Sequence, residues 1–124
     1  MRELRVYYPA LPKVLSNSRG AATRWITKKE RDGFKEFLKG LELPDEPTDV
    51  YLDCIINFFL PTKRNRDIQN LIADTKPMLD AMQGFVYYDD KQIMTLTAGK
   101  EYRKGEPGVL FVFHSRASLH EVLH

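Results

Sequence analysis

A single cysteine, Cys54, leaves this chain of 124 residues without an internal disulfide. No stretch approaches the roughly 18 consecutive apolar residues of a membrane-spanning helix. The opening MRELRVYYPALP also lacks the long apolar segment of a secretory leader. A cytoplasmic protein with no membrane partner is therefore expected. Charge of one sign is scarce as well: the formal net charge of +2 is too small to mark a nucleic-acid-binding protein by itself. Of the three histidines, His114, His120 and His124, the last two are spaced like a helical zinc pair. His124 is the final residue, where chains fray, so no zinc site is expected. Repeats, low-complexity segments and linkers are all missing, and the length suits one domain over residues 1–124.

What the chain does hold is enough apolar material for a core, 43% hydrophobic and 11% aromatic residues. Residues 3–8 alternate polar and apolar and read as a first strand, stopped by Pro9 and Pro12. The cluster at Ser16–Gly20 reads as a loop. Thr27 and Glu30 have the spacing of a capping box, which predicts a helix from there to about Lys39, with Phe34, Phe37 and Leu38 buried and Gly40 beyond its end. Residues 49–60, DVYLDCIINFFL, form the best strand in the chain, central or half-buried. Cys54 lies inside it and reads as a small core residue, since a catalytic thiol needs an electropositive setting. Residues 62–69 read as a loop.

Pro77 is tolerated only in the first turn of a helix, which places that helix from Asp74 or Thr75 to about Gly84, with a separate turn at Asn70–Ala73. Met78, Leu79 and Met82 supply its buried stripe. Residues 92–98 and 109–113 read as two closing strands paired as a hairpin, and Ser118–His124 as a short amphipathic helix. The fold expected is α+β: a small mixed sheet of about four strands with two principal helices.

Charge is distributed unevenly. Residues 1–66 carry 13 Lys/Arg against 9 Asp/Glu, whereas residues 67–124 carry 6 against 8. The sign changes at Arg66–Asp67, within a dense run of polar groups, KRNRDIQNLIADTKPMLDAMQGFVYYDDKQI, from Lys63 to Ile93. Basic residues beside carboxylates suit a divalent cation acting on a phosphate backbone. Candidate ligands are Asp67, Asp74, Asp80, Asp89 and Asp90. Lys76 and Asp80 share a helix face, and a lysine there suits stabilisation of charge developing on a phosphate. Taken singly, each of these is also an ordinary turn former, cap or solvated ion pair. Trp25 and the six tyrosines could stack on exposed bases, although core packing is the ordinary expectation for most of them.

The order of these groups resembles the RusA-type Holliday-junction resolvases. The resembling residues are Arg64-Asn65-Arg66-Asp67-Ile68-Gln69-Asn70-Leu71, then Lys76, then Asp80-Ala81-Met82, then Asp89-Asp90-Lys91-Gln92-Ile93. Ser16-Asn17 after the first strand is similar to the family's amino-terminal region. The resemblance implies a RusA-like fold and a homodimer that cuts four-way DNA junctions by paired symmetric nicks with Mg²⁺, or Mn²⁺ in its place, in DNA recombination and repair. It implies Asp67 and Asp90 as metal-binding and catalytic aspartates, and Lys76 as the catalytic lysine. Lys63, Arg64, Arg66, Arg19, Arg24 and Asn70 would contact DNA, with Lys28 and Lys29 suited to phosphates.

Two departures stand out. Gln69 occupies the place of a family aspartate, and about three extra residues before Lys76 introduce Asp74, which could replace the missing charge. Gln69 and Asp74 are therefore the further candidate metal ligands, and a branched-DNA-binding protein impaired in catalysis is the alternative reading. For the dimer contact, Phe58, Phe59 or the Tyr87-Tyr88 pair are the candidates, with core burial an equal expectation for them.

Overall fold

The structure, a computed structural model, describes residues 3–15, 21–64 and 66–116. Its elements in chain order are β1 (Glu3–Tyr8), α1 (Ala21–Lys39), β2 (Leu52–Leu60), α2 (Ile68–Asp74), α3 (Lys76–Ala81), a short 3₁₀ turn (Asp90–Gln92), β3 (Ile93–Tyr102) and β4 (Gly108–Ser115). They group into two compact units. One comprises residues 1–11, 48–63 and 91–124, the other residues 12–47 and 64–90.

The first unit is a four-stranded mixed sheet of order β1-β4-β2-β3. β4 runs antiparallel to both β1 and β2, while β2 and β3 are parallel. Parallel neighbours need a long crossover connection, and here the chain between them supplies α2 and α3 of the other unit. β2 and β4 lie in the interior of the sheet, where Leu52, Cys54, Ile56, Phe58, Val109, Phe111 and Phe113 are all buried. Cys54 is a core residue as expected, and burial pushes its thiol up to about 12.

The expected hairpin between the two closing strands does not form, because β2 separates them. The reason lies at the turn. Arg103 N–H donates to the Leu60 carbonyl at 2.8 Å, and Gly105 N–H to Pro61 at 2.9 Å. The turn is thus anchored over the end of β2, and Gly105 supplies the positive φ of 70° that it requires. The Arg103 guanidinium also stands 3.7 Å from the centre of the Phe59 ring. β4, mostly buried, takes the inner place, and β3, mostly exposed, takes the edge.

In the second unit α1 packs on α3. Its buried side chains include Phe34, Leu38, Leu71, Met78, Met82 and Tyr87, with the Tyr87 hydroxyl donating to the Leu79 carbonyl. α1 starts at Ala21, so the capping-box reading of Thr27 and Glu30 is corrected: Thr27 is interior to a helix that alanines, the best helix formers, begin earlier. It ends at Lys39, with Gly40 beyond it as expected. Pro77 lies in the first turn of α3, also as expected, because the missing N–H has no partner to lose there. The loop expected over residues 62–69 is cut short, since Ile68–Asp74 is helical. The expected carboxy-terminal helix lies outside the described residues, as do Ser16, Asn17, Asn65, His120 and His124.

Candidate active site

Asp67 opens α2 as its N-cap. Its backbone is extended (φ −66°, ψ 129°), and its carboxylate accepts from the Gln69 N–H at 2.7 Å. This satisfies one of the donors that every helix start leaves open. Asp67, Gln69 and Asn70 are all exposed. Of the expected DNA contacts, Lys63 and Arg64 are exposed, and the Lys63 ammonium lies 5.7 Å from the centre of the Tyr102 ring. Arg24 is exposed on α1, and Arg19 lies outside the described residues.

Asp74, at the end of α2, is only 3% exposed. One oxygen accepts from the backbone N–H of Leu15 at 3.2 Å, and the other meets the Arg66 guanidinium at 3.3 Å. Burial raises its affinity for a proton above that of an ordinary carboxylate, and the Leu15 and Arg66 contacts oppose this. The carboxylate ties together the chain ahead of α1, the residue before Asp67 and the α2–α3 junction. Neither the burial of Asp74 nor its pairing with Arg66 was foreseen from the sequence. A charged residue that ends a short helix in front of Thr75, itself buried, is the only local sign.

Two residues on, the chemistry changes character. The Lys76 ammonium lies 2.7 Å from an Asp90 oxygen and 2.9 Å from Asp80. Helical spacing delivers Asp80, as the sequence predicted, while Asp90 arrives from the start of the 3₁₀ turn. Asp80 and Asp89 also reach the Asp90 carboxyl. The hydrogen bond from Lys76 holds Asp90 below the usual carboxylate range, and the bonds to Asp90 and Asp80 hold Lys76 above the usual amine range. Both are therefore charged at neutral pH. Lys76 remains 62% exposed, so the cluster is open to a solute.

Among the described residues, no three His, Cys, Asp or Glu side chains are gathered into a ready-made metal-holding group. The donor chemistry around Lys76 nonetheless fits a hard divalent cation: the groups are carboxylates, and they already accommodate one positive charge. Mg²⁺ characteristically takes one or two carboxylates and fills its remaining positions with water and substrate phosphate. Gln92, the glutamine of the Asp-Asp-x-Gln run, has a different task. Its amide donates to the carbonyls of Thr48 at 2.9 Å and Val50 at 3.0 Å, fastening the start of β3 beside the approach to β2.

The aromatic residues decide between the readings left open for them. Phe58, Phe59 and Tyr87 are buried, which leaves Tyr88 alone among the proposed dimer contacts on the surface. Core packing fails for Trp25, at 64% exposed, and for Tyr7, Tyr51, Tyr88 and Tyr102, all exposed. No helix among the described residues is long and apolar enough to cross a membrane. Among curated protein sequences none matches the chain significantly. The family model described as "Endodeoxyribonuclease RusA" matches residues 7–111.

Proposed function

Given that the chain belongs to the RusA endodeoxyribonuclease family, we propose that it resolves four-way DNA junctions by paired symmetric nicks, with Mg²⁺ as its cofactor and Mn²⁺ able to replace it. The observation that carries this reading is the Lys76 ammonium held between Asp80 and Asp90, an exposed cation–carboxylate cluster at the head of a short helix. Asp67 and Asp90 would hold the cation, with the Gln69 amide oxygen as a neutral further ligand. A bound divalent cation supplies activation of a water and neutralisation of charge on the phosphate.

The chain's own residues do the rest. Lys76, fully protonated at neutral pH, offers an ammonium proton to an oxygen of the scissile phosphate. Asp80 keeps that ammonium in position, so that the Asp90 carboxylate would be the one to hold the cation. Asp74, whose oxygens already serve Leu15 and Arg66, acts here as a clamp that presents Arg66 rather than as a ligand. Arg66, Lys63, Arg64, Arg24 and Arg19 take backbone phosphates, and Asn70 adds a polar contact, all without reading sequence.

A two-fold dimer suits a junction of two-fold symmetry. The outer edge of β3 supports such a pairing. It ends the sheet, and residues 93–99, IMTLTAG, carry no charge, the composition that folded proteins normally keep off a bare edge. Antiparallel pairing centred on Leu96 sets Leu96 against its own copy, Thr95 against Thr97, and Met94 against Ala98. Leu96→Asp should then turn a dimer into a monomer in sedimentation velocity, and an unchanged mass would reject that surface.

The test of function is direct. Purified protein should nick a synthetic four-way junction symmetrically in Mg²⁺ and leave linear duplex intact, and EDTA should abolish the nicking. Junctions left intact across Mg²⁺ and Mn²⁺ titrations would refute the enzymatic reading. Gln69 favours a second one, a branched-DNA-binding protein weak in catalysis, because an amide stands where the resemblance expects a carboxylate. That version predicts salt-sensitive gel shifts without nicking, and nicking gained by Gln69→Asp.

A further inference from the structure

We infer that the solvent face of α1 around Trp25 is a stacking site for a base of the DNA substrate, with Arg24, Lys28 and Lys29 taking the flanking phosphates. The inference rests on the DNA-cutting reading and adds to it a named contact for a base.

α1 buries Phe34 and Leu38, and its solvent face carries Trp25, Lys28, Lys29, Asp32, Gly33 and Glu36 at helical spacing. These six residues line a surface hollow of about 430 Å³. Trp25 is 64% exposed within it, so the largest side chain of the helix projects from its polar side. Core packing cannot account for that position. Gly33 leaves the floor of the hollow low, since a Cβ there would enter open space.

The rest of the lining chooses the occupant. A protein partner would want further apolar side chains around the indole, whereas the rest of the hollow is lined by the stems of charged residues and a glycine. The Lys29 ammonium stands over the indole, 5.0 Å from the ring centre. A base can stack on the opposite ring face while that ammonium meets the adjoining phosphate. Lys28 is tied to Asp32 at 2.6 Å, which fixes its position beside the ring. Positive charge gathers on the amino-terminal half of this face, at Arg24, Lys28 and Lys29, and the acids lie further along. Stacking of this kind tolerates any base, as recognition of a branch point rather than a sequence requires.

Trp25 is the only tryptophan in the chain, so indole emission reports this site alone. Wild-type protein titrated with an unlabelled four-way junction in EDTA should show quenched emission that recovers as salt is raised. Trp25→Ala should raise the Kd for a fluorescently labelled junction about fivefold or more, the loss of roughly one stacked base. Trp25→Phe should retain most of the affinity, and both variants should melt with the wild type. If labelled junction binds while emission stays unchanged and Trp25→Ala binds as wild type, the stacking site is overturned and the nuclease reading stands. If emission shifts with protein concentration in the absence of DNA, a second copy covers this face and the inference is overturned. If no branched DNA binds at all, both readings fall together.

Discussion

Asp74 and Asp90 each face a basic side chain, and they do so in opposite surroundings. Asp74 is buried, has one oxygen on a backbone N–H and the other on Arg66, and holds its proton more tightly than a carboxylate in water. Asp90 lies at an open cluster, shares Lys76 with Asp80, and gives up its proton more easily. A carboxylate whose oxygens are both spent inside the protein can shape a site but has little left to offer a solute. One that is balanced by an exposed ammonium can exchange partners when a cation or phosphate arrives. On the proposed function, the same residue type thus serves architecture in one place and chemistry in the other.

The sharpest way to break this comparison is Lys76→Met. It should reduce junction nicking by about 100-fold or more, the usual scale for losing a charge that stabilises a transition state. Its melting temperature should stay within about 4 °C of wild type, because exposed ion pairs contribute only about 0–1 kcal/mol. A large fall in stability would mean that the cluster is architectural after all. Next comes Asp74→Ala, which leaves the Leu15 N–H and the Arg66 guanidinium without their shared acceptor. A cost of about 2–3 kcal/mol is expected, or about 10 °C in thermal melts of a domain this size. An unchanged melt would remove the architectural role of Asp74.

The smallest effect is one of sign. Because the folded state raises the Asp74 pKa, the native protein binds more protons than the unfolded chain in that range. Its contribution to stability is therefore lost as pH rises from the ordinary carboxylate value through the raised one. Asp90 works the other way: its contribution is present above the ordinary carboxylate value and lost as pH falls through the depressed one. Melts of Asp74→Asn and Asp90→Asn in EDTA, each compared with wild type between pH 3 and pH 7 (about the span over which carboxylates titrate), should diverge in opposite directions. Parallel curves would show that the two environments do not differ.

Much of this was legible in the sequence because it depended on local pattern. The Lys76–Asp80 spacing dictated a shared helix face, Pro77 limited where α3 could start, and the β-branched run around Cys54 announced a central strand. The family resemblance was carried by short motifs in order, and the match over residues 7–111 agrees with it. What the sequence withheld depended on partners distant in the chain. The place of β4 between β1 and β2 follows from a turn anchored on Leu60 and Pro61, which strand periodicity cannot reveal. Asp74 resembled a spare ligand because its burial depends on Leu15, far away in sequence. Core packing was the ordinary expectation for most of Trp25 and the tyrosines, yet the place of Trp25 on α1 turns it outward.

The most direct measurement sets Asp90→Asn beside Asp74→Asn in single-turnover cleavage of a four-way junction in Mg²⁺, with thermal melts of the same samples. If Asp90 carries the chemistry, Asp90→Asn loses nicking by about 100-fold or more and melts within about 4 °C of wild type. Asp74→Asn then changes stability while its folded fraction retains most of its nicking. The reverse pattern, with Asp90→Asn still cutting junctions and Asp74→Asn fully folded but inactive, would contradict the assignment of the active site to the Lys76 cluster.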